Sequence, residues 1–263
     1  MTTLCAAAVS ILNCADADQK SALAQKLAIS WKNGALPEIG HAVPPQRPAR
    51  PSKPELLAPR EMPKRGKAGS QSGRIALLHA LAHIELNAID LACDIIVRFS
   101  QDGLPEAFFH DWAKVASEEG LHFAMLAERL REMNSAYGEL PGHDGLWEAA
   151  QETAHDILAR LAIVPLVLEA RGLDVTPTMM KNLKKSGDHR SANVLQRIYN
   201  DEIGHVAIGQ KWFHYICLQR ELEPENTWQT LVKKHFKGVL KPPFNDEARE
   251  KAGFSPQFYR FSS

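Results

Sequence analysis

Material for disulfide staples is scarce in this chain of 263 residues. Its four cysteines, Cys5, Cys14, Cys93 and Cys217, lie far apart and form no Cys-x-x-Cys pair. They read as free thiols of a reducing compartment, and a cytoplasmic location is expected. A surplus of either charge is also lacking. Lys+Arg and Asp+Glu both number 31, so the chain as a whole has no bias toward nucleic acid or membrane surfaces. Long hydrophobic runs are missing too. Residues 4–13 are apolar, but the run is short and has no basic start, which makes a poor signal peptide. No run approaches the ~20 apolar residues of a membrane-spanning helix. Apolar residues still make up 44% of the chain, enough for a sizeable core in one large domain or a domain with appendages.

Proline is unevenly spread. Eight of the 16 prolines fall between Pro37 and Pro63. No helix survives that density, so residues 35–72 are expected to form an extended arm. From Arg47 to Arg74, eight basic residues stand against Glu55 and Glu61. The arm reads as a solvated strap packed along the molecule, with an anion-binding strip, RNA included, as the alternative. Ahead of it, residues 1–34 hold one expected helix, 18–32, capped by Asp16 or Asp18, with Leu23, Leu27 and Trp31 as its stripe.

Beyond the arm, residues 73–220 turn helical. Four long segments are expected, at about 73–100, 105–134, 144–172 and 190–220. Breakers separate them: Asp102-Gly103-Leu104-Pro105, Gly138 to Gly145, and Gly172 to Pro177. In the last of these Asp174, Thr176 and Pro177 read as a turn and cap for a short helix over 177–186, ended by Gly187. The tail, 221–263, is expected to hold a helix at about 225–239, a break at Lys241-Pro242-Pro243-Phe244-Asn245, and a further turn or two over 246–252. The expected fold is all-α: a four-helix bundle with an N-terminal helix, a proline-rich arm and a C-terminal helical tail.

Each long segment carries an inward stripe. The first runs Leu78, Ala82, Glu85, Ile89, Ala92, Ile96, and the second Trp112, Val115, Glu119, His122, Leu126, Leu130. The third runs Leu158, Ala162, Pro165, Glu169, Gly172, and the fourth Leu195, Ile198, Glu202, His205, Gly209, Trp212. Steps of three and four keep each series on one helix face. Every stripe is apolar except at one level, which carries Glu, Glu+His, Glu and Glu+His. Buried carboxylates need partners, and four together repel one another. Two divalent cations would balance four carboxylates, with both imidazoles neutral. In Glu-x-x-His the two side chains lie about one turn apart, so the carboxylate can bridge while the imidazole takes an outer position. Glu85 to Glu119 spans 34 residues and Glu169 to Glu202 spans 33, as two equivalent hairpins would.

This arrangement resembles the ferritin-like di-iron or di-manganese carboxylate proteins, in which two helices give one Glu each and two give Glu-x-x-His. The resemblance covers about residues 73–220. The stretches His79-Ala-Leu-Ala-His83-Ile-Glu85-Leu-Asn87 and Glu169-Ala-Arg-Gly-Leu-Asp-Val-Thr-Pro177 look like an uncharacterised bacterial ferritin-like family, and distantly like tRNA-hydroxylating di-iron monooxygenases. The resemblance implies two iron ions (Fe2+/Fe3+), or manganese, on Glu85, Glu119, His122, Glu169, Glu202 and His205. The four glutamates would be the catalytic carboxylates. It also implies an oxidoreductase that activates O₂ or peroxide, such as a hydroxylase or oxidase of a small or nucleoside-like substrate, with an electron donor if a monooxygenase. Related enzymes carry an acid beside the metal-bound imidazoles, which marks Asp201 and Glu118 as their hydrogen-bond acceptors. A homodimer would fit this class, and no membrane partner is expected.

Other readings stay open: iron storage or detoxification, dimanganese peroxide disproportionation, a metal-free bundle with a buried polar network, and a non-catalytic helical interaction module. Two further Glu-x-x-His matches exist. Glu38-Ile-Gly-His41 lies in the arm and reads as chance. Glu152-Thr-Ala-His155 places His155 on the third stripe, but ~21 Å from Glu169 along a continuous helix, too far to share its metal. His79 and His83 are off the phase of Glu85 and read as hydrogen-bonded core histidines. Pro165, one turn before Glu169, must kink its helix. Arg171 is placed to meet an acid or an anionic substrate.

Overall fold

The computed structural model describes residues 2–63 and 69–260. Regular structure among them is helical, and an isolated bridge joins Leu56 to Gly142. Packing divides the chain into two compact units, Met1–Trp147 and Glu148–Ser263. The division falls inside the stretch 73–220 that was expected to form one bundle.

The first unit contains α1 (Leu4–Leu12), α2 (Ala17–Lys32), α3 (Gln71–Arg98) and α4 (Glu106–Glu132). The apolar run at residues 4–13 is helix α1, with Leu4, Cys5, Ala8, Ile11 and Leu12 buried. In α2, Asp16 is the cap, its carboxylate accepting the Gln19 N–H at 2.8 Å. The stripe expected there is corrected at Leu23, which is 43% exposed. The buried face is instead Lys20, Ser21, Ala24, Leu27 and Trp31. In α3 every residue from Leu86 to Val97 is buried. A helix buried all round is the centre of its unit, and α1 and α4 pack against it. The link 99–105 turns at Gly103, whose φ of +70° suits glycine, and returns the chain as α4. α2 lies close on α4. A Cβ on Gly120 would stand 2.8 Å from the Ser21 carbonyl oxygen, and the Ser21 hydroxyl donates to the Gly120 carbonyl at 2.7 Å.

Burial of α3 also buries Asp90 and Asp94. Asp94 pairs with Arg98 at 2.7 Å. Asp90 meets Lys20 Nζ at 2.5 Å and an Arg50 nitrogen at 3.0 Å, and Lys20 also donates to the Ala49 carbonyl at 2.9 Å. This buried triad pins the proline-rich segment to α2 and α3. Further along, Ala49 N–H donates to Leu12, Leu57 N–H to Gly142, and Gly142 N–H to Glu55. Arg47 pairs with Asp144 at 2.5 Å. The segment is thus a strap packed on its unit, with a 3₁₀ turn at Pro59–Glu61. Lys64, Arg65 and Lys67 of the expected basic strip lie outside the described residues.

The chain crosses the division within α5 (Gly145–Glu152). The second unit continues with α6 (Ile157–Ile163), a π-helical turn (Val164–Glu169), α7 (Ala170–Lys185), α8 (His189–Gln219), α9 (Pro224–His235), α10 (Asp246–Lys251) and α11 (Pro256–Tyr259). The continuous third helix expected over 144–172 is corrected. It breaks over 153–156, because Asp156 caps a new helix by accepting the Ala159 N–H at 3.3 Å. His155 therefore lies in a turn, on no helical stripe.

The break expected from Gly172 to Pro177 is also absent, since α7 runs through it. Pro177 cannot donate to the Leu173 carbonyl. Asn245 Nδ2 donates to that carbonyl instead, at 3.1 Å. Asp174 is no turn residue. It is buried, pairs with Arg249 at 2.8 Å and accepts the Asn245 N–H at 2.9 Å. Arg171 donates to the carbonyls of Lys241 and Pro243 at 2.8 and 3.1 Å. The tail thereby replaces the hydrogen bond that proline removes. No helix among the described residues is long and apolar enough to cross a membrane.

Candidate metal centre

In the first unit α3 contributes Glu85, and α4 contributes Glu119 and His122. The stripes predicted for both helices are buried along their whole length. Glu119 and His122 have no exposed surface, and Glu85 is 5% exposed. His122 Nδ1 lies 3.3 Å from a Glu119 oxygen and 3.3 Å from a Glu85 oxygen. One ligand atom from each of the three falls within 4.8 Å of the others, so the group can hold a metal ion. Burial, and then the neighbouring Glu119 charge, push the Glu85 carboxyl well above the ordinary carboxylate range, against the pull of His122. Two carboxyls in so dry a place need a positive charge between them. A metal cation held there would supply that charge and displace the proton. Carboxylate oxygens with an imidazole nitrogen suit iron, manganese or zinc.

The second unit contains the matching motif on α8. His205 Nδ1 lies 3.4 Å from a Glu202 oxygen; the histidine side chain is fully buried and that of Glu202 is 12% exposed. The α8 stripe residues Leu195, Ile198, His205, Gly209 and Trp212 are buried, as its spacing predicts. Glu169 is the last residue of the π turn and is half-buried. The π turn that ends in Glu169 packs against α8, which contains Glu202 and His205.

The remaining candidates are placed as follows. Glu118 pairs with Lys114 at 2.5 Å and Asp201 with Arg197 at 2.7 Å, each one turn back on its own helix. His79 Nε2 accepts the Gly138 N–H at 2.9 Å. His83 bonds the Tyr137 hydroxyl and the His143 carbonyl, both at 2.9 Å, and burial pushes its pKa down to about 4. Both are hydrogen-bonded core histidines. Glu152 meets His235 at 3.6 Å and Lys237 at 3.5 Å, and the His155 ring lies 5.2 Å from that of His235. That motif belongs to the contact with the end of α9.

Two features escaped the sequence. The π turn is one: a kink at Pro165 was foreseen, but not the change to i→i+5 hydrogen bonding. The other is the packing of Gly209. A Cβ there would stand 2.5 Å from Pro165 Cβ and 2.7 Å from its Cγ. A glycine in a buried stripe was the available signal, but its partner is a long-range contact.

Over residues 13–260 the sequence matches the family DUF455, described as "Protein of unknown function". The chain belongs to the DUF455 family. A relative from Haemophilus influenzae, described as "Uncharacterized protein", is 44% identical over 212 residues, covering 79% of this chain and 73% of its own. No solved structure matches the chain. The family match takes in all six candidate ligands and extends over most of the strap and tail, which the general ferritin resemblance leaves out.

Proposed function

We propose that this DUF455 protein is a ferritin-like di-iron carboxylate oxidoreductase, with Glu85, Glu119, His122, Glu169, Glu202 and His205 holding one dinuclear centre. The observation that carries this is the buried group of Glu85, Glu119 and His122, whose ligand atoms lie within 4.8 Å of one another. The repeat of Glu-x-x-His in the second unit, with the same approach of imidazole to glutamate, supports extending the centre to six ligands. Iron in such a site, cycling between +2 and +3, would supply O₂ or peroxide activation, and manganese is the alternative metal.

The chain's own residues do the rest. The four glutamates would neutralise the ions, and His122 and His205 would bind as neutral imidazoles. The apolar residues of α3 and α4 keep water from the Glu119 carboxylate. The substrate class that fits this reading is a small or nucleoside-like molecule to be hydroxylated or oxidised.

The test is metal content after substitution. Glu119→Ala and Glu202→Ala are expected to lose bound iron while keeping their helical circular dichroism. Glu152→Ala is expected to keep it. Full occupancy in Glu119→Ala, or loss in Glu152→Ala, would refute the ligand assignment.

A further inference from the structure

We infer that Gly209 is a positioning residue: it is the seat on α8 that holds the π turn, and so sets where Glu169 stands relative to Glu202 and His205. This inference rests on the metal reading above and adds a residue that bears no ligand atom.

The argument starts at Pro165. It lacks the N–H that an α-helix would direct to the Leu161 carbonyl. The ladder fails there, and the chain runs through Val164–Glu169 with i→i+5 bonding. A π turn holds more residues than an α turn, so it re-aims whatever follows it. Glu169 is its last residue. Such a turn is a poor hydrogen-bonding arrangement and persists where packing holds it. The packing is on α8, where Gly209 lies one turn beyond His205 and two beyond Glu202. Pro165 Cβ and Cγ stand 2.5 and 2.7 Å from where a Gly209 side chain would begin, and Leu166 Cδ2 stands 3.6 Å away. No side chain fits without moving the turn. One helix thus carries two ligands and the seat for the element that brings a third.

Gly204 supplies the control. It lies on the same helix, and a Cβ there meets nothing within 4 Å. Replacing either glycine by alanine raises helix propensity equally. Any difference between the two variants therefore reports the contact with the π turn.

The experiment compares wild type, Gly204→Ala and Gly209→Ala. Each is loaded with Co²⁺, its metal content and visible spectrum are recorded, and amide exchange over residues 164–169 is followed in the metal-free protein. Gly204→Ala is expected to match wild type in content and spectrum, with a raised Tm. Gly209→Ala is expected to lose about one of two metal equivalents, to change the Co²⁺ spectrum, and to exchange its 164–169 amides roughly tenfold faster. If Gly209→Ala does not fold, Pro165→Ala takes its place. It removes the Cγ and restores the N–H, and the same loss and spectral change are expected.

Equal content and identical spectra in wild type and Gly209→Ala would overturn the seat while leaving the metal reading intact. A wild-type protein that takes up no metal would overturn the dinuclear reading and, with it, this assignment. The two failures are thereby distinguished.

Discussion

A buried thiol and a buried carboxyl respond to desolvation in the same direction: each holds its proton to higher pH. Glu85 shows this beside Glu119, and Cys217 shows it away from the ligands. Burial raises the Cys217 thiol to about 11. Unfolding returns it to the usual thiol range near 8.5. Between these values the folded chain binds more protons than the unfolded one, so stability falls as pH rises through that window and is unaffected below it. Urea denaturation of wild type between pH 8 and 10.5 is therefore expected to show a loss roughly 1–3 kcal/mol larger than that of Cys217→Ala. Parallel losses in the two proteins would show that the thiol ionises as freely when folded. At this scale the sequence was legible where residue type and phase agreed. Glu85, Glu119, His122 and His205 are all buried as their stripes predict. It was not legible at Lys20, which composition places in solvent and the fold buries to 1% exposure against Asp90.

Among the elements, α4 and α8 follow the three-and-four stepping of their apolar residues closely, because one face of each is enough to specify them, whereas α3 is buried on every side from Leu86 to Val97. The stretch from 144 to 186 was legible only in part, for three reasons, each tied to a distant partner or a competing cap. Asp156 ends one helix by starting another. Pro165 faces a glycine on α8. Pro177 is tolerated because Asn245 takes over the carbonyl it abandons. The strap was legible as extended chain from its prolines, but its anchor was not. That anchor is Asp90 with Lys20 and Arg50. Removing one partner of a buried ion group leaves the others uncompensated, at a cost of about 3–5 kcal/mol. Asp90→Asn is expected to lose stability in that range and to open the strap, between residues 35 and 63, to limited proteolysis. A change within ~0.5 kcal/mol and an unchanged digestion pattern would show that the backbone bonds of the strap suffice without the triad.

At the scale of the whole molecule, the chain repeats one chemical theme. Each unit offers a glutamate on one element and Glu-x-x-His on a long helix, and in each the imidazole Nδ1 approaches its own glutamate, at 3.3 and 3.4 Å. Such repetition at matched spacing has a chemical reason if the motif serves as a metal ligand pair in both halves. Balanced charge and ordinary composition leave this theme as the chief functional signal in the chain. A dinuclear iron centre is the proposal that accounts for this repetition. Its most direct test is elemental analysis of the anaerobically purified full chain, followed by the optical spectrum as air is admitted. About two irons per chain are expected, with a new near-ultraviolet band on exposure to oxygen. A chain that binds no transition metal, even after reconstitution with Fe²⁺ or Mn²⁺, would contradict the account.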